Sequence, residues 1–491
     1  MRLESLNRVL APPRLRVFTR GDWHIYFDPH NFHWVRVNDS GRYLLELIRK
    51  YYTRQEMTER VMADHELPEE RARQAVDSFV DHLVQGEFLH LDEYRERPRT
   101  RQEDRTFPAH IYLHMTNACN LKCPYCYNKD DREFKMQLQK SGEYAATLGT
   151  EEYKHLITRL VEEGIQRLFF TGGEPLMRPD VMELAAHARE VAASLGRKIE
   201  LEILTNAILI KGETVERLCD LFDAVTISLD GHERHLHEYY RGRNSFRPTV
   251  RGVRNLIERR KERGSAAPYV AIVPALTDRN IGFMKEIFEF ALDDLGADGL
   301  APILFQAGDH QELSLKQIPP LDVYRRELGR TGEYLKERSS GACKGASVIE
   351  DRDTEDDSAD RPSPRPVSPR QHCGVGHGEI SVDPSGVVYP CQSLHFDEFA
   401  CGSVREQDIK EIFLESPVMK RVRGLKVRDL AVCSHCDFRE LCNGGCRATA
   451  YNVYRRFDAH NEIYCQQLES LAVDKMWGAD EVPAGEVAHD Y

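Results

Sequence analysis

The sequence predicts an α/β protein built around a parallel sheet, with a smaller α+β unit before it and a cysteine-rich segment after it. Strand-like and helix-like patterns alternate between His110 and Phe305, which is typical of parallel strands joined by right-handed crossovers. The first hundred residues instead read as three strands followed by three helices, and most cysteines lie beyond residue 370. A chain of 491 residues has room for about three domains.

The composition narrows the class of protein. Hydrophobic residues make up 41% and charged residues 30% of the chain, and since no run of 18 apolar residues occurs we expect no membrane span. The N-terminus lacks the apolar core of a secretory signal. A net charge of −13 disfavours a general nucleic-acid binder, which needs a basic face. The 13 cysteines therefore indicate metal ligation in a reducing compartment, and a cytoplasmic location, rather than disulfides.

The N-terminal unit, residues 1–95, is predicted to be a small winged-helix-like α+β domain. Turn residues separate its three apolar strands, Arg16–Phe18, Trp23–Asp28 and Phe32–Val37. Apolar residues at helical spacing predict helices after Asn38 and over 53–64 and 68–85. A polar, arginine-rich linker follows at 91–107.

The central unit is predicted over residues 96–335. Its six candidate strands are His110–Met115, Arg167–Thr171, Ile199–Thr205, Ala224–Leu229, Tyr269–Pro274 and Gly299–Phe305. Its five helices are expected at Thr150–Glu163, Pro179–Leu195, Gly212–Phe222, Thr249–Arg263 and Ile281–Leu295. Ligands of parallel sheets collect at the carboxyl ends of the strands, and the polar motifs of this unit all lie at or just beyond strand ends.

Three cysteines follow the first of these strands. Cys119, Cys123 and Cys126 have the spacing C-x3-C-x2-C, and a cubane iron–sulfur cluster normally takes four thiolates. Three ligands leave one iron with an empty position, which a substrate atom can enter. The alternative is a zinc loop, but zinc prefers paired C-x2-C units, and no second pair lies close to this triplet in the sequence.

The triplet resembles that of the radical S-adenosylmethionine (radical SAM) enzymes. In that family the open iron binds S-adenosylmethionine (SAM), which is reductively cleaved to a 5′-deoxyadenosyl radical that removes hydrogen from a substrate. The resemblance implies a six-stranded partial (β/α)6 barrel and places Tyr125 against the adenine. After the second strand, Gly172-Gly173-Glu174-Pro175 resembles the family's GGEP motif, which binds the SAM amino group, and two glycines let a backbone approach a ligand closely.

Two further strand ends resemble the same family. Thr205-Asn206 stands where the family often has Thr-Asn-Gly. The resemblance places Ser228, near the end of the fourth strand, at the ribose. It places Arg241 on the SAM carboxylate, for which a guanidinium is a good match.

The remaining polar residues near strand ends carry less information. Gln306, Asp309 and His310 follow the sixth strand and are candidate substrate contacts, although a solvated loop fits them equally well. His235 and His237 are interpreted as surface residues rather than metal ligands. We assign no general base.

The C-terminal part begins with a charged, proline-rich segment at 336–371, which is predicted to be a disordered insert. A cysteine array follows at 372–470 and a tail at 471–491. Seven cysteines follow the pattern C-x12-G-x4-C, then C-x2-C-x5-C-x3-C, then a last Cys: Cys373, Cys391, Cys433, Cys436, Cys442, Cys446 and Cys465. Seven thiols exceed one tetrahedral zinc site.

The array resembles the SPASM domain of radical SAM peptide maturases, which holds two auxiliary 4Fe–4S clusters and would bring the chain to three clusters. The resemblance assigns one auxiliary cluster to Cys433, Cys436, Cys442 and Cys465 and the other to Cys373, Cys391 and Cys446. The second set is one ligand short, and either Cys401 or Cys343 completes it or the iron stays open.

The N-terminal unit resembles the pyrroloquinoline-quinone chaperone family, also called RiPP recognition elements. RiPPs are ribosomally made peptides that are modified after translation, and in that family the leader of the precursor peptide adds as a strand beside the third strand. The resemblance implies that Trp34, Val35 and Arg36 bind peptide, since strand addition uses backbone hydrogen bonds at an edge. A cap that only packs on the catalytic unit is the alternative.

These modules together predict a radical SAM oxidoreductase that matures a precursor peptide, with a thioether from cysteine sulfur to carbon as the expected product. Two auxiliary clusters suit the removal of an electron from a substrate radical, and a flavodoxin or ferredoxin-type donor is expected to reduce the enzyme. The enzyme alternatives are carbon–carbon or carbon–oxygen crosslinking, epimerisation, and oxidation of a protein or small molecule as by sulfatase maturases. The non-enzyme alternative is an iron–sulfur electron carrier.

Overall fold

The structure is a computed structural model that describes residues 9–91, 93–94, 107–126, 146–305, 318–340 and 373–462, together with 465, 469, 472–473 and 476–477. Gln306, Asp309, His310, Cys343 and the insert beyond residue 340 lie outside these residues. No helix in the described part of the chain is both long and apolar enough to cross a membrane.

The N-terminal unit is an antiparallel three-stranded sheet with three helices. Its elements are β1 (Arg16–Arg20), β2 (Trp23–Asp28), β3 (His33–Asn38), α1 (Asp39–Arg49), α2 (Arg54–His65) and α3 (Glu69–Gln85). All six were predicted, with ends that differ by one or two residues. Asn38 caps α1 by accepting a hydrogen bond from Gly41 N, and Thr53 and Glu56 form a capping box at the start of α2. β2 pairs with both neighbours, so β1 and β3 are the edges of this sheet.

The two faces of this sheet have different partners. On one face Val35 packs with Leu44 and Phe79 in the core formed with the helices. On the other face Phe27 stacks on Phe438 of the cysteine-rich part, with ring centroids 5.3 Å apart. The N-terminal unit is therefore docked on the C-terminal part of the chain.

The central unit contains all six predicted strands, which lie side by side in chain order and are all parallel. Its strands are β4 (His110–His114), β5 (Arg167–Thr171), β6 (Glu200–Thr205), β7 (Ala224–Ile227), β8 (Tyr269–Ile272), β9 (Ala275–Leu276), β10 (Gly299–Leu300) and β11 (Ile303–Leu304). Its helices are α4 (Thr150–Glu162), α5 (Val181–Ser194), α6 (Glu213–Leu221), α7 (Arg234–Arg241), α8 (Phe246–Glu262), α9 (Met284–Glu289) and α10 (Leu321–Ser340).

Some elements differ from the prediction. The sixth predicted strand is divided into β10 and β11 by Pro302, which has no amide hydrogen for a ladder, and β11 pairs with β9 instead. The fifth predicted helix consists of a 3-10 turn, α9 and a π turn at Phe290–Asp294. The short helix α7 was not predicted because it has too few apolar residues to show a period. α10 continues to Ser340, past the predicted boundary at 335.

The C-terminal part adds three strands to the central sheet. Its elements are β12 (Glu379–Val382), β13 (Val387–Tyr389), β14 (Gly402–Ser403), α11 (Ile409–Glu415), α12 (Pro417–Gly424), α13 (Arg439–Cys442) and α14 (Arg447–Tyr454). β12 and β13 form a hairpin before Cys391, with Gly386 at φ +95° in its turn. β12 pairs in parallel with β4, with Glu379 beside His110. The predicted boundary at 372 thus separates segments that share one sheet.

Candidate active site and cysteine clusters

The three predicted ligands of the first site lie in the loop that follows β4. Cys119, Cys123 and Cys126 are half-buried, and the charges of Cys119 and Cys126 act on Cys123. Burial raises the pKa of the Cys123 thiol to about 12, and the charge of nearby Arg241 offsets part of this rise. A protonated thiol is a poor ligand, so a bound metal would have to hold Cys123 as its thiolate.

Two glycines bring the end of β5 against the cysteine loop. A Cβ on Gly173 would lie 2.1 Å from Ala118 O, and one on Gly172, whose φ is +138°, would lie 2.7 Å from Thr116 O. Gly173 N donates to Thr116 O and Glu174 N to Ala118 O, both over 2.8 Å. Only glycine permits this approach, so the Gly172-Gly173 turn fixes the position from which the three cysteines start.

The Glu174 carboxylate joins β5 to β6. It is buried and accepts hydrogen bonds from Thr205 Oγ1 (2.7 Å), Asn206 N (2.9 Å) and Leu176 N (3.2 Å). Burial raises the pKa of this carboxyl to about 7 in spite of those donors. Asn206 Nδ2 also donates to Asn120 Oδ1 over 2.7 Å, which ties β6 to the cysteine loop. The predicted residues Glu174, Thr205 and Asn206 thus form one network beside the thiols.

Arg241 is held in place by Asp230, which the sequence analysis did not single out. Arg241 Nε and Nη2 donate to the two carboxylate oxygens over 2.7 and 3.0 Å, and their side chains are only 12% and 1% exposed. Tyr125 Oη also donates to Asp230. Burial alone would raise the pKa of the Asp230 carboxyl, but the Arg241 charge holds it below its ordinary value. One sequence signal could have identified this ion pair: an acidic residue directly follows a predicted strand, and an arginine stands eleven residues later.

Ser228 and His237 complete this edge of the sheet. Ser228 N donates to Thr205 O over 3.0 Å, so Ser228 lies beside the end of β6. The interpretation of His237 as a surface residue is wrong: it is fully buried, and its Nδ1 accepts from Asp230 N over 3.2 Å. Burial lowers the pKa of this imidazole to about 4, so it is neutral at physiological pH. His235 lies two residues before His237 on α7 and is exposed, as predicted.

Four cysteines of the C-terminal array line one pocket, together with Phe438 and Glu469: Cys433, Cys436, Cys442 and Cys465. The charges of the other three act on Cys442, whose pKa burial raises to about 12. This set is the one that the resemblance assigned to a single cluster.

The other three cysteines form a second group. Cys391 follows β13, Cys446 caps α14, and Cys373 packs with both of them in one side-chain cluster. Burial raises the pKa of the Cys373 thiol to about 11, and the Cys446 charge adds to this rise. Arg447 lies near both groups of thiols. Its positive charge interacts electrostatically with Cys373 and Cys446 of the second group and with Cys433 and Cys442 of the first.

Cys401 does not join the second group. Its Sγ donates to Phe399 O over 3.4 Å, and the polar groups that act on it are Ser416, Arg421 and Arg423. It packs in the core of the central sheet instead. Of the two cysteines considered as a fourth ligand, the structure therefore places Cys401 elsewhere, while Cys343 lies outside the described residues.

The donor sets suit iron–sulfur clusters. In the described residues no three His, Cys, Asp or Glu side chains converge on a single metal ion, but a cubane binds each thiolate through a different iron, so thiols spread around a pocket fit it. Backbone N–H groups two residues further on donate to Cys119 (3.4 Å), Cys391 (3.5 Å) and Cys436 (3.3 Å). Such N–H···S bonds favour the thiolate that iron binds.

The predicted peptide-binding residues lie on both faces of β3. Val35 points into the N-terminal core, whereas Trp34 packs against the cluster that contains Phe438. Arg36 Nη1 donates to Trp477 O over 2.7 Å. β3 pairs with β2 alone among the described strands, so its outer edge is the part of it that can take another strand.

Three family models match the chain. The Radical SAM superfamily matches residues 113–291, the iron–sulfur cluster-binding SPASM domain matches 373–437, and coenzyme PQQ synthesis protein D (PqqD) matches 24–89. The chain therefore contains a radical SAM domain together with SPASM and PqqD domains. It is an enzyme with the domain set of a radical SAM/SPASM peptide maturase, which confirms the resemblance inferred from its motifs.

The radical SAM enzyme is similar to curated proteins with different activities. It is 29% identical over 368 residues to the PqqA peptide cyclase of Bradyrhizobium diazoefficiens, covering 72% of this chain and 86% of the cyclase. It is 27% identical over 371 residues to the AdoMet-dependent heme synthase of Oleidesulfovibrio alaskensis, covering 72% and 87%. It is 27% identical over 360 residues to the mycofactocin maturase MftC of Mycobacterium ulcerans, covering 70% and 84%.

Solved structures share its fold. Streptococcus suis SuiB bound to S-adenosylmethionine covers 93% of this chain and 100% of its own, with a TM-score of 0.54 and 16% identity. The structure of anSMEcpe with bound AdoMet and Cp18Cys peptide covers 76% of this chain and 98% of its own, with a TM-score of 0.57 and 18% identity.

Replacing Gly173 by Ala should displace the cysteine loop, because the added methyl carbon would meet Ala118 O at 2.1 Å. We expect iron bound after anaerobic reconstitution to fall by about one cluster per chain, as measured by iron and sulfide analysis. Gly282→Ala is the control, since nothing lies within 4 Å of the Cβ it adds. Equal iron content in both variants would contradict the bracing role of Gly173.

Replacing Asp230 by Asn should destabilise the fold, because it leaves the buried Arg241 cation without its counter-ion. Breaking a buried ion pair costs about 3–5 kcal/mol, so the thermal midpoint should fall clearly in differential scanning calorimetry. Asp458→Asn removes an exposed partner of Arg456 and should change the midpoint little. Similar midpoints for the two variants would show that Asp230 does not neutralise Arg241.

Proposed function

We propose that this radical SAM enzyme matures a ribosomally made precursor peptide and forms a thioether between a cysteine sulfur and a carbon of that peptide. One observation carries the proposal: the same chain joins a PqqD unit, whose β3 has an outer edge without a partner strand among the described residues, to a radical SAM site and a SPASM cysteine array. A peptide is the substrate that can use such an edge, since strand addition supplies backbone hydrogen bonds to any sequence.

Cys119, Cys123 and Cys126 hold the first 4Fe–4S cluster and leave one iron for SAM, at the carboxyl ends of the six parallel strands of a partial barrel. When bound, SAM and a reduced cluster supply a radical that removes a hydrogen atom from an unactivated C–H bond. The SAM pocket is formed by residues at these strand ends: Tyr125, Gly172, Gly173, Glu174, Thr205, Asn206, Ser228 and Arg241.

The charged groups of this pocket complement the two charges of the SAM amino acid end. Asp230 holds the Nε and Nη2 atoms of Arg241, so Nη1 would remain to bind the SAM carboxylate. Glu174 is held by protein donors, and a positive amino group next to it favours its charged form. Tyr125 donates to Asp230, which fixes its ring for the adenine.

The two further groups of cysteines hold two auxiliary clusters, which brings the total to three. Cys433, Cys436, Cys442 and Cys465 line one pocket and supply a complete set of four ligands. Cys373, Cys391 and Cys446 supply three. Clusters bound there would supply an acceptor for the electron that leaves the substrate when the new bond forms, and a flavodoxin or ferredoxin-type donor would reduce the first cluster.

A second candidate is a reaction on a porphyrin. The similarity to an AdoMet-dependent heme synthase is nearly as high as that to a PqqA peptide cyclase. The PqqD match at 24–89 favours the peptide.

Cys119→Ala should abolish release of 5′-deoxyadenosine from SAM, because the first cluster loses one of its three thiolates. Chromatography of the dithionite-reduced, reconstituted protein measures this release. Cys219→Ala is the matched control, since Cys219 lies on α6 against the hydrophobic core and outside the cysteine groups. Release from Cys119→Ala at the rate of Cys219→Ala would remove the basis of the proposed chemistry.

Mass spectrometry of a precursor peptide made together with the enzyme distinguishes the products. A thioether removes two hydrogen atoms and leaves that cysteine resistant to iodoacetamide. A carbon–carbon or carbon–oxygen crosslink has the same mass change but leaves the cysteine reactive, and epimerisation leaves the mass unchanged. Turnover of a porphyrin with no change in the peptide would favour the second candidate.

Leader docking should slow hydrogen exchange at β3. About half the amides of an edge strand point away from its partner, so adding the leader should protect the unpaired amides within His33–Asn38 while those of β1, the opposite edge, keep their rates. Exchange followed by mass spectrometry gives both rates in one sample. Protection at β1, or at neither edge, would contradict docking at β3.

A further inference from the structure

The second group of thiols is one protein ligand short. Cys373, Cys391 and Cys446 share one side-chain cluster, whereas Cys401 lies in the core of the central sheet with its Sγ on Phe399 O. A cubane takes four ligands, so the fourth position beside this group depends on another side chain.

The pairing of β12 with β13 brings a carboxylate to this position. Ser381 lies opposite Tyr389 and Val382 opposite Val388, and the same register continued by two residues sets Glu379 opposite Cys391. Side chains directly opposite each other on antiparallel strands project from the same face, with Cβ atoms about 4.5–5.5 Å apart. Cys391 is accordingly a side chain that interacts with the Glu379 carboxylate.

The alternation along β12 shows which way Glu379 faces. Ile380 and Val382 are fully buried in the core of the central sheet. Glu379 and Ser381 point to the opposite face, where Ser381 Oγ is hydrogen-bonded to His395 Nε2 over 2.8 Å. Tyr389, the partner of Ser381, packs with Cys391 in the cluster that contains the three thiols. Glu379 therefore faces the thiols.

The charges around Glu379 also favour a metal. The negative charge of its carboxylate interacts electrostatically with Cys391 and Cys373. No ion pair joins this carboxylate to a lysine, arginine or histidine among the described residues. Arg447, the cation near this group, donates to Gly444 O, Phe457 O and Ala459 O. Glu379 is half-buried, and a carboxylate that is partly removed from water with no cation beside it can be satisfied by a metal.

We propose that the Glu379 carboxylate is the fourth protein ligand of the auxiliary cluster held by Cys373, Cys391 and Cys446. The inference rests on the proposed function, which places a cluster at these thiols. With Glu379 as a ligand, the iron of this cluster that no cysteine binds carries an oxygen ligand instead of an open position. A carboxylate is a harder donor than a thiolate and binds iron in such a cluster less firmly, so this iron is the one at which a substrate thiolate can displace a protein ligand.

The test uses the full-length chain with Cys119, Cys123 and Cys126 replaced by Ala, so that the two auxiliary clusters alone give electron paramagnetic resonance signals after reduction. In this parent protein, one signal should change only at high cyanide concentrations, because cyanide must displace the carboxylate. Glu379→Ala should make the same signal change at a clearly lower cyanide concentration, and Glu379→Gln, which keeps the side-chain shape, should do the same if the Ala variant folds poorly. Glu379→Cys should shift that signal without loss of iron and without a cyanide response.

Two controls separate the possible failures. Glu411→Ala removes an exposed carboxylate from α11 of the same part of the chain and should alter neither signal. Cys373→Ala should lose one signal and its iron. If it keeps both, no cluster is held at these thiols and the proposed function is wrong there. If it loses them but the Glu379 variants respond to cyanide at the same concentration as the parent, the cluster exists and Glu379 is not its ligand.

Discussion

The contact between the Gly172-Gly173 turn and the cysteine loop is the constraint on which the active site depends. The backbones meet so closely that a methyl group at Gly173 would overlap Ala118 O, and two hydrogen bonds of 2.8 Å hold them together. A cluster ligand must be placed to within a fraction of an ångström, and a loop alone does not supply that accuracy. Here a neighbouring strand end supplies it.

Buried carboxylates extend this bracing across the carboxyl edge of the sheet. Glu174 connects β5 to β6, and Asp230 connects β7 to Arg241 and to Ala275 N of β9. Each carboxylate is withdrawn from water, so each needs its full set of donors to remain in place. The same bonds that satisfy these groups hold Thr205 and Arg241 beside the cysteine loop. Stability and the arrangement of the site therefore depend on one network.

Contacts between distant parts of the sequence join the three modules. β12 continues the central sheet from β4, and the N-terminal sheet stacks Phe27 on Phe438, next to the pocket of Cys433 and Cys436. An ion pair of 2.8 Å between Arg14 and Asp437 supports the same interface. The N-terminal unit, in which β3 pairs with β2 alone among the described strands, is thus held against a cysteine group rather than tethered loosely.

The sequence by itself determined the features that depend on residues close together in the chain. The C-x3-C-x2-C spacing, the two glycines, the cap at Asn38 and the six strands all follow from local chemistry and periodicity, whereas the division of the later cysteines into two groups came from the family resemblance. Tertiary structure alone decided the pairing of β12 with β4, the Asp230–Arg241 ion pair, the burial of His237, the exclusion of Cys401 and the position of Glu379 opposite Cys391. These depend on strand register and packing between segments far apart in sequence, which no single stretch of the chain encodes.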